Sequence, residues 1–456
     1  KSEITFGIHQ KWTKLAKRGD AGYEAYYFTF KDRTVPDLFE RTMPEMLPKS
    51  APGNFTYCAE LDKWVMSTFN EVEWELNYGN PRVLIEMINL LLKKVNLGAD
   101  ILSLNGVAFV WKKLGTDCQN LPEAQAIWQI YKACIQIVAP GIALLGESAT
   151  IKEKDTSFDM VYNYMLMTGL WDGLATHNAK ILSDSARSIL VSKKNAALVN
   201  CVRSSHPITP LYDDESIRNA GYDPFHHQEF ITNFFTGKFS GSFASGMPDM
   251  NVPDHSNVGI CGTLASLAGL ERAIEMDDAE LIDLAVIRII LMNAIIISFS
   301  GIPMLYHGDE LAVLNDYSFL QDDERSDDSK WLYRSKMDWD KILECLNNDH
   351  SLENVIYTAI RKMIAIRKKT PEWNSTSSCR ILNTANEFLF AFERRCNDNL
   401  TVTLANFKDD AQELPSTWLT QLGFNTAFDK YTSAPIQIDS GTMIIAPYQF
   451  LWLNEA

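Results

Sequence analysis

The sequence predicts an α/β protein built on a parallel sheet, with a small antiparallel β domain behind it. Two observations carry this reading. Helical patterns alternate with short apolar runs from residue 80 to about residue 367, the signature of parallel strands joined by helices. From about residue 376 the texture changes to short alternating strands separated by Asn, Asp, Gly and Pro. A chain of 456 residues is long enough for two or three such domains.

Residues 1–75 are rich in aromatic residues, Pro and charge without a long period, and read as an irregular excursion. Asn80-Pro81 then starts a helix, with Asn as the cap and Pro at the first helical position. Its expected apolar face is Leu84, Met87, Ile88, Leu91 and Val95, and Gly98 ends it. ILSL at 101–104 follows as a strand or buried turn. A second helix spans roughly Glu123–Val138, is stopped by Pro140-Gly141, and leads into the strand IALLGE. AALVNCV at 196–202 is a further strand. The most apolar stretch, Leu281–Tyr306, is broken by Arg288, Asn293, Gly301 and Pro303, so it reads as a helix (Leu281–Ile297) and a buried strand (Ile302–Tyr306), not a membrane span. A last helix is expected at Leu352–Arg367. EFLFAFER, LTVTLANF, GTMIIA and YQFLWLN are the strands of the β domain.

Asn105-Gly106, between alternating apolar residues, is also a strong signal for a two-residue hairpin turn. The helices on either side of ILSL favour the end of a parallel strand instead. With a period of two, Ser103 and Asn105 then point the same way.

The net charge of −16, with no long Lys/Arg run, argues against nucleic acid and anionic membrane surfaces as partners, and suits a neutral ligand such as a sugar. The eight cysteines are scattered without a Cys-x-x-Cys pair, which suggests buried thiols in a reducing compartment. His226-His227 beside Asp223 has the wrong spacing for ligands on one face, so neither a metal nor a cofactor is expected. The acidic run DDERSDD at 322–328 reads as a solvated loop. KSEITFGIHQKW shows no initiator Met and no signal peptide; it looks like the interior of a longer chain, with a leaning towards the cytoplasm.

Several strand ends together resemble glycoside hydrolase family 13, the α-amylase family of carbohydrate metabolism. GADILSLNGVAFVWKKLGT is similar to its fourth-strand motif, ALLGES to the fifth, CVRSSHP to the seventh and GIPMLYHGDEL to the eighth. APGNF, WELNYGNP, NLPEAQA, NFFTGKFSGSFASGMP, SDDSKW and APYQFLWL point to the amylosucrase group within it. The resemblance implies a (β/α)8 TIM barrel followed by a C-terminal antiparallel β-sandwich, with catalytic groups at the C-terminal ends of strands. Residues 1–75 would be an insertion after the third strand. Residues 76–375 would be the rest of the barrel, including an excursion over 205–270 after the seventh strand, and 376–456 the β domain. The barrel is accordingly expected to be incomplete at its N-terminus. A partner supplying the missing segment is part of that expectation.

The family uses an Arg and, two residues later, a nucleophilic Asp on the fourth strand, a general-acid Glu on the fifth, and a His-Asp pair on the seventh whose Asp stabilises the transition state. The resemblance puts Ser103 and Asn105 at the first two positions, Glu147 at the third, and Ser205 and His206 at the fourth. Ala108, Phe109, Arg203 and Lys330 match substrate-binding positions. One catalytic carboxylate of three remains. The resemblance therefore implies a glycosidase or glucosyltransferase scaffold that is catalytically impaired, a pseudoenzyme binding an α-glucoside or sucrose-like sugar weakly. The alternative is an active hydrolase or glucosyltransferase on sucrose or α-glucans that uses Glu147 as general acid/base.

Overall fold

The computed structural model describes residues 3–45, 52–146, 158–192, 196–210, 212, 214–250, 259–438 and 441–455. The chain forms two compact units that meet in sequence between Tyr162 and Asn163.

The first unit opens with a helix, Glu3–Lys17, whose Trp12 and Ala16 pack into a cluster with Tyr26, Tyr27, Val65 and Trp74. Thr29–Phe30, Lys63–Met66 and Phe55–Cys58 form an antiparallel sheet with the middle strand between the other two. Residues 1–75 are thus not merely irregular. Strands of two to four residues are too short to leave a readable period. The helix Pro81–Asn96 starts as expected, the Asn80 side chain accepting from the Arg82 N–H at 3.1 Å. Its most buried residues are Val83 and Leu90, with Met87 packed against the same cluster, so the inward face is rotated from the expected one. The strand Ile101–Leu104 runs parallel to Ala143–Gly146, which runs parallel to Met160–Tyr162. The helix Pro122–Val138 makes the first crossover. This parallel pairing excludes the hairpin at Asn105-Gly106.

In the second unit, Ala197–Cys201 runs parallel to Ile302–Met304. Before it come the helices Tyr164–Thr176 and Lys180–Ser192, which are not among the elements expected above. In the first of them every residue from Leu166 to Ala175 is buried, so no polar stripe marks a period. The helix Ala279–Ser298 is long and apolar enough to cross a membrane, yet two-thirds of its apolar window is buried inside the unit. Its one cation, Arg288, is held by the Ala268 carbonyl at 3.0 Å and lies 3.9 Å from the Phe243 ring centroid and 4.7 Å from that of Tyr448. Gly301, at φ +125°, ends the connection, and a Cβ there would sit 2.3 Å from the Leu198 carbonyl oxygen. Only glycine allows the backbone to approach the neighbouring strand so closely. The helix Leu352–Lys368, capped by Ser351, packs against Ala279–Ser298.

The β domain follows as expected. Its six-stranded antiparallel sheet orders Ser378–Leu382, Leu389–Cys396, Asn399–Asn406, Phe450–Asn454, Ala427–Asp429 and Pro435–Ile436. Gln412–Pro415 pairs with Thr442–Ile445, and Leu404, Leu414, Ile445 and Leu453 lie in the core between the two sheets.

Candidate active site

The two units carry different parts of the expected site. In the first, Ser103 lies within the strand Ile101–Leu104, in register with Leu145, and Asn105 follows directly; both are exposed. Gly106 takes a left-handed conformation (φ +65°, ψ +21°) and starts the short turn Val107–Phe109, where the Phe109 N–H returns to the Gly106 carbonyl at 3.0 Å. The Ala108 carbonyl accepts from the Asn120 N–H at 2.8 Å. Phe109 meets Phe69 edge to face at 5.1 Å. Beyond it the buried Lys112 ammonium reaches Glu75 at 3.3 Å and Thr68 Oγ1 at 3.2 Å. A buried ion pair and an aromatic contact therefore hold the loop that follows Asn105. Glu147 lies outside the described residues; the strand before it ends at Gly146.

In the second unit Arg203 is fully enclosed. Its Nε and Nη2 donate to Asp309 Oδ1 at 3.1 and 2.7 Å, and its guanidinium lies 4.2 Å from the Tyr306 ring centroid and 5.1 Å from that of Tyr333. Burial pushes the Asp309 carboxyl up from its ordinary value, against the pull of Arg203 and of the Leu264 N–H. Ser205 is exposed, and its carbonyl accepts from Tyr333 Oη at 3.2 Å and Arg334 Nη2 at 2.6 Å. His206 is half-buried and its N–H donates to Ser204 Oγ at 3.2 Å. Lys330 sits in the turn Ser329–Tyr333, its N–H capped by Asp328 at 3.0 Å. The acidic run before it is a loop in which Asp322 accepts from the Glu324 N–H and pairs with Arg325 at 3.3 Å.

Sequence reasoning missed the groups that hold Arg203. Asp309 and Tyr306 stand in the eighth-strand motif, but only their burial around a cation reveals the role. It also missed the buried pair of His227 with Asp172, with Tyr222 stacked 4.8 Å from the His227 ring. That pair turns His227 inward, while Asp223 caps its helix by accepting from the His226 N–H at 3.0 Å. Among the described residues no group of three His, Cys, Asp or Glu side chains is placed to hold a metal ion. Burial pushes the Cys201 and Cys261 thiols up to about 12, which makes both inert as nucleophiles.

No family model matches the chain. Glucosylglycerate phosphorylase from Spirochaeta thermophila is 24% identical over 97% of this chain and 74% of its own length, and that of Escherichia coli K12 is 23% identical over 97% and 75%. Among solved structures, sucrose 6F-phosphate phosphorylase from Thermoanaerobacter thermosaccharolyticum superposes with a TM-score of 0.64 at 15% identity, covering 85% of this chain and 73% of that one. An α-amylase from H. orenii superposes at 0.59 and 13% identity, covering 98% and 77%. The fold is thus that of a class of carbohydrate-active enzymes with a parallel α/β barrel and a C-terminal β domain. Within that class, the chain is a relative of the glycoside hydrolase family 13 enzymes.

The likeness runs to glucosylglycerate phosphorylases, which corrects the amylosucrase assignment. The segments that suggested amylosucrase are largely structural punctuation. Pro52–Asn54 is a tight turn, and Asn80-Pro81 and Leu121-Pro122 start helices. Such residues report a shared scaffold and not a shared sugar.

Proposed function

We propose that this chain is an α-glucoside-binding member of its family that has lost glycosidic bond cleavage. The observation that carries the reading is the absence of any Asp or Glu from Ile101–Trp111 and from Val202–Ile208, the stretches matched to the nucleophile and the transition-state stabiliser. Retaining cleavage needs two carboxyl groups about 5–5.5 Å apart, one attacking the anomeric carbon and one protonating the leaving oxygen. A phosphorylase acting with retention would face the same first step, with phosphate in place of water in the second. Glu147 can donate the proton. The Asn105 amide oxygen is a poor nucleophile, and neither Ser103 nor His206 supplies the charge that the missing Arg and Asp provide. The Lys112–Glu75 and Arg203–Asp309 pairs hold the neighbouring loops in place, which suits a role in binding.

The test offers the purified chain glucosylglycerate, sucrose and maltose, each with and without inorganic phosphate, and measures glucose and glucose 1-phosphate. Release at the rate of a protein-free blank is expected, together with calorimetric binding of at least one of these sugars. Turnover at ordinary enzyme rates that Glu147→Gln abolishes would favour the second reading, an active glucosyl hydrolase or transferase using Glu147. Asn105→Asp alone should restore little, because losses within a catalytic set are not additive. Ser103→Arg, Asn105→Asp and His206→Asp together are the smallest set expected to raise release above the blank.

A further inference from the structure

We infer that Asn105 is a self-modification site, at which the chain converts its own amide into a carboxylate by spontaneous deamidation through Gly106. Asn105-Gly106 is the only Asn-Gly pair in the 456 residues. Glycine matters because the attacking atom is the backbone nitrogen of the following residue, and any side chain there hinders its approach. Three features leave this pair open to the reaction. Both residues are exposed. Among the described residues, nothing lies within 4 Å of where a Gly106 Cβ would be. Among the described residues, none holds the Asn105 side chain or the Gly106 N–H by a hydrogen bond.

The pair also sits at a joint. The described ladder with Ala143–Gly146 reaches Leu104, and among the described residues the following turn is closed by the Phe109 N–H on the Gly106 carbonyl at 3.0 Å. Among the described residues, rotation at Asn105 breaks no ladder bond, and Gly106 can leave its left-handed conformation at the cost of the single turn bond from Phe109. This removes the protection that a regular strand gives.

In the step itself the Gly106 nitrogen, having lost its proton, attacks Asn105 Cγ. A C–N bond forms, the Cγ–Nδ2 bond breaks, and ammonia leaves with the proton. Water then opens the cyclic imide at either carbonyl, giving aspartate or isoaspartate at position 105. No oxidant or metal is needed. The placing of this carboxylate at a nucleophile position rests on the reading in the previous section; the modification does not.

The experiment incubates the intact chain at mildly alkaline pH, beside a urea-unfolded sample. Both are then digested with trypsin and the peptide Val95–Lys112 is fragmented in the mass spectrometer. The expected result is replacement of amide by acid at Asn105 in the folded chain. One equivalent of ammonia per chain should be released, and one heavy oxygen taken up from labelled water. The same peptide holds Asn96, followed by Leu97, as an internal control that stays unchanged. Asn105→Gln, exposed and so harmless to folding, should abolish the ammonia. Persistence of Asn105 in the folded chain while the unfolded sample converts would overturn the inference, and so would conversion spread evenly over other asparagines. Neither readout depends on sugar binding, so failure here and failure of the proposed function are separable.

Discussion

The Arg203–Asp309 pair gives the sharpest test of what holds the second unit together. Both side chains are nearly sealed, at 3% and 4% exposure, and both guanidinium bonds go to one carboxylate oxygen. Two aromatic faces complete the cation's surroundings, at 4.2 and 5.1 Å. Removing one member strands the other as an uncompensated buried charge, which costs about 3–5 kcal/mol. Arg203→Met also forfeits the contacts to Tyr306 and Tyr333, at about 0.5–2 kcal/mol each, so it should fall at the upper end. Asp309→Ala should cost slightly less, because the rings still shield the cation. The double variant carries no buried charge. Its loss should undercut the sum of the singles by about 2 kcal/mol or more, near the top of the range for directly contacting residues. Urea unfolding followed by tryptophan fluorescence reads this, since Trp171, Trp373 and Trp452 are all fully buried in this unit. Single variants that lose less than about 1 kcal/mol, or a strictly additive double variant, would refute the reasoning.

Three further outcomes are expected. Gly301→Ala should destabilise by more than about 1 kcal/mol, because φ +125° disfavours a side chain and the new Cβ would press on the Leu198 carbonyl; thermal melting reads it. Lys112→Met should leave Glu75 without its partner, cost about 1–3 kcal/mol, and speed amide exchange over residues 105–111 more than elsewhere. The Asp309 carboxyl is raised above its ordinary 3.8, so the folded chain holds that proton to higher pH than the unfolded chain does. This group's contribution is therefore greatest below the unfolded value and is lost as pH rises through the folded one, a slope that Asp309→Asn should remove from urea midpoints measured across that interval.

Legibility in the sequence followed the physics of each element. The helices at Pro81–Asn96, Pro122–Val138 and Leu352–Lys368 were readable because each has one wet face and a Pro or Ser at its start. Ala279–Ser298 was readable from length, apolarity and its Gly-Pro break. Tyr164–Thr176 was not, because burial on all sides erases the period. Met160–Tyr162, three residues long, is too short to register. The motif letters singled out Ser103, Asn105 and Arg203 as candidates, but they could not show that Arg203 faces Asp309 instead of solvent. That contact joins residues 106 positions apart, and no local pattern records it. Lys112 was equally hidden: a lysine after Val110-Trp111 reads as a surface charge until Glu75 and Thr68 are found beside it.

On the proposed reading, the distribution of burial accounts for how a chain could lose its chemistry and keep its fold. Ser103, Asn105 and Ser205 are exposed and His206 only half-buried, so replacing a carboxylate or a guanidinium at these positions empties no cavity and strands no buried partner. Catalytic charges crowded at a strand end repel and demand desolvation, so their loss is neutral or favourable to stability. The reverse holds for Arg203, Asp309, Lys112 and Glu75, where loss of one member strands a charge in the interior. If cleavage has been lost as proposed, selection for folding alone would retain the second set and let the first drift. An identity of 24% over nearly the whole chain then measures the retained scaffold. By itself it does not say which residues at the strand ends are shared. In this chain the stretches 101–111 and 202–208 hold no Asp or Glu, and the proposed loss of cleavage rests on that.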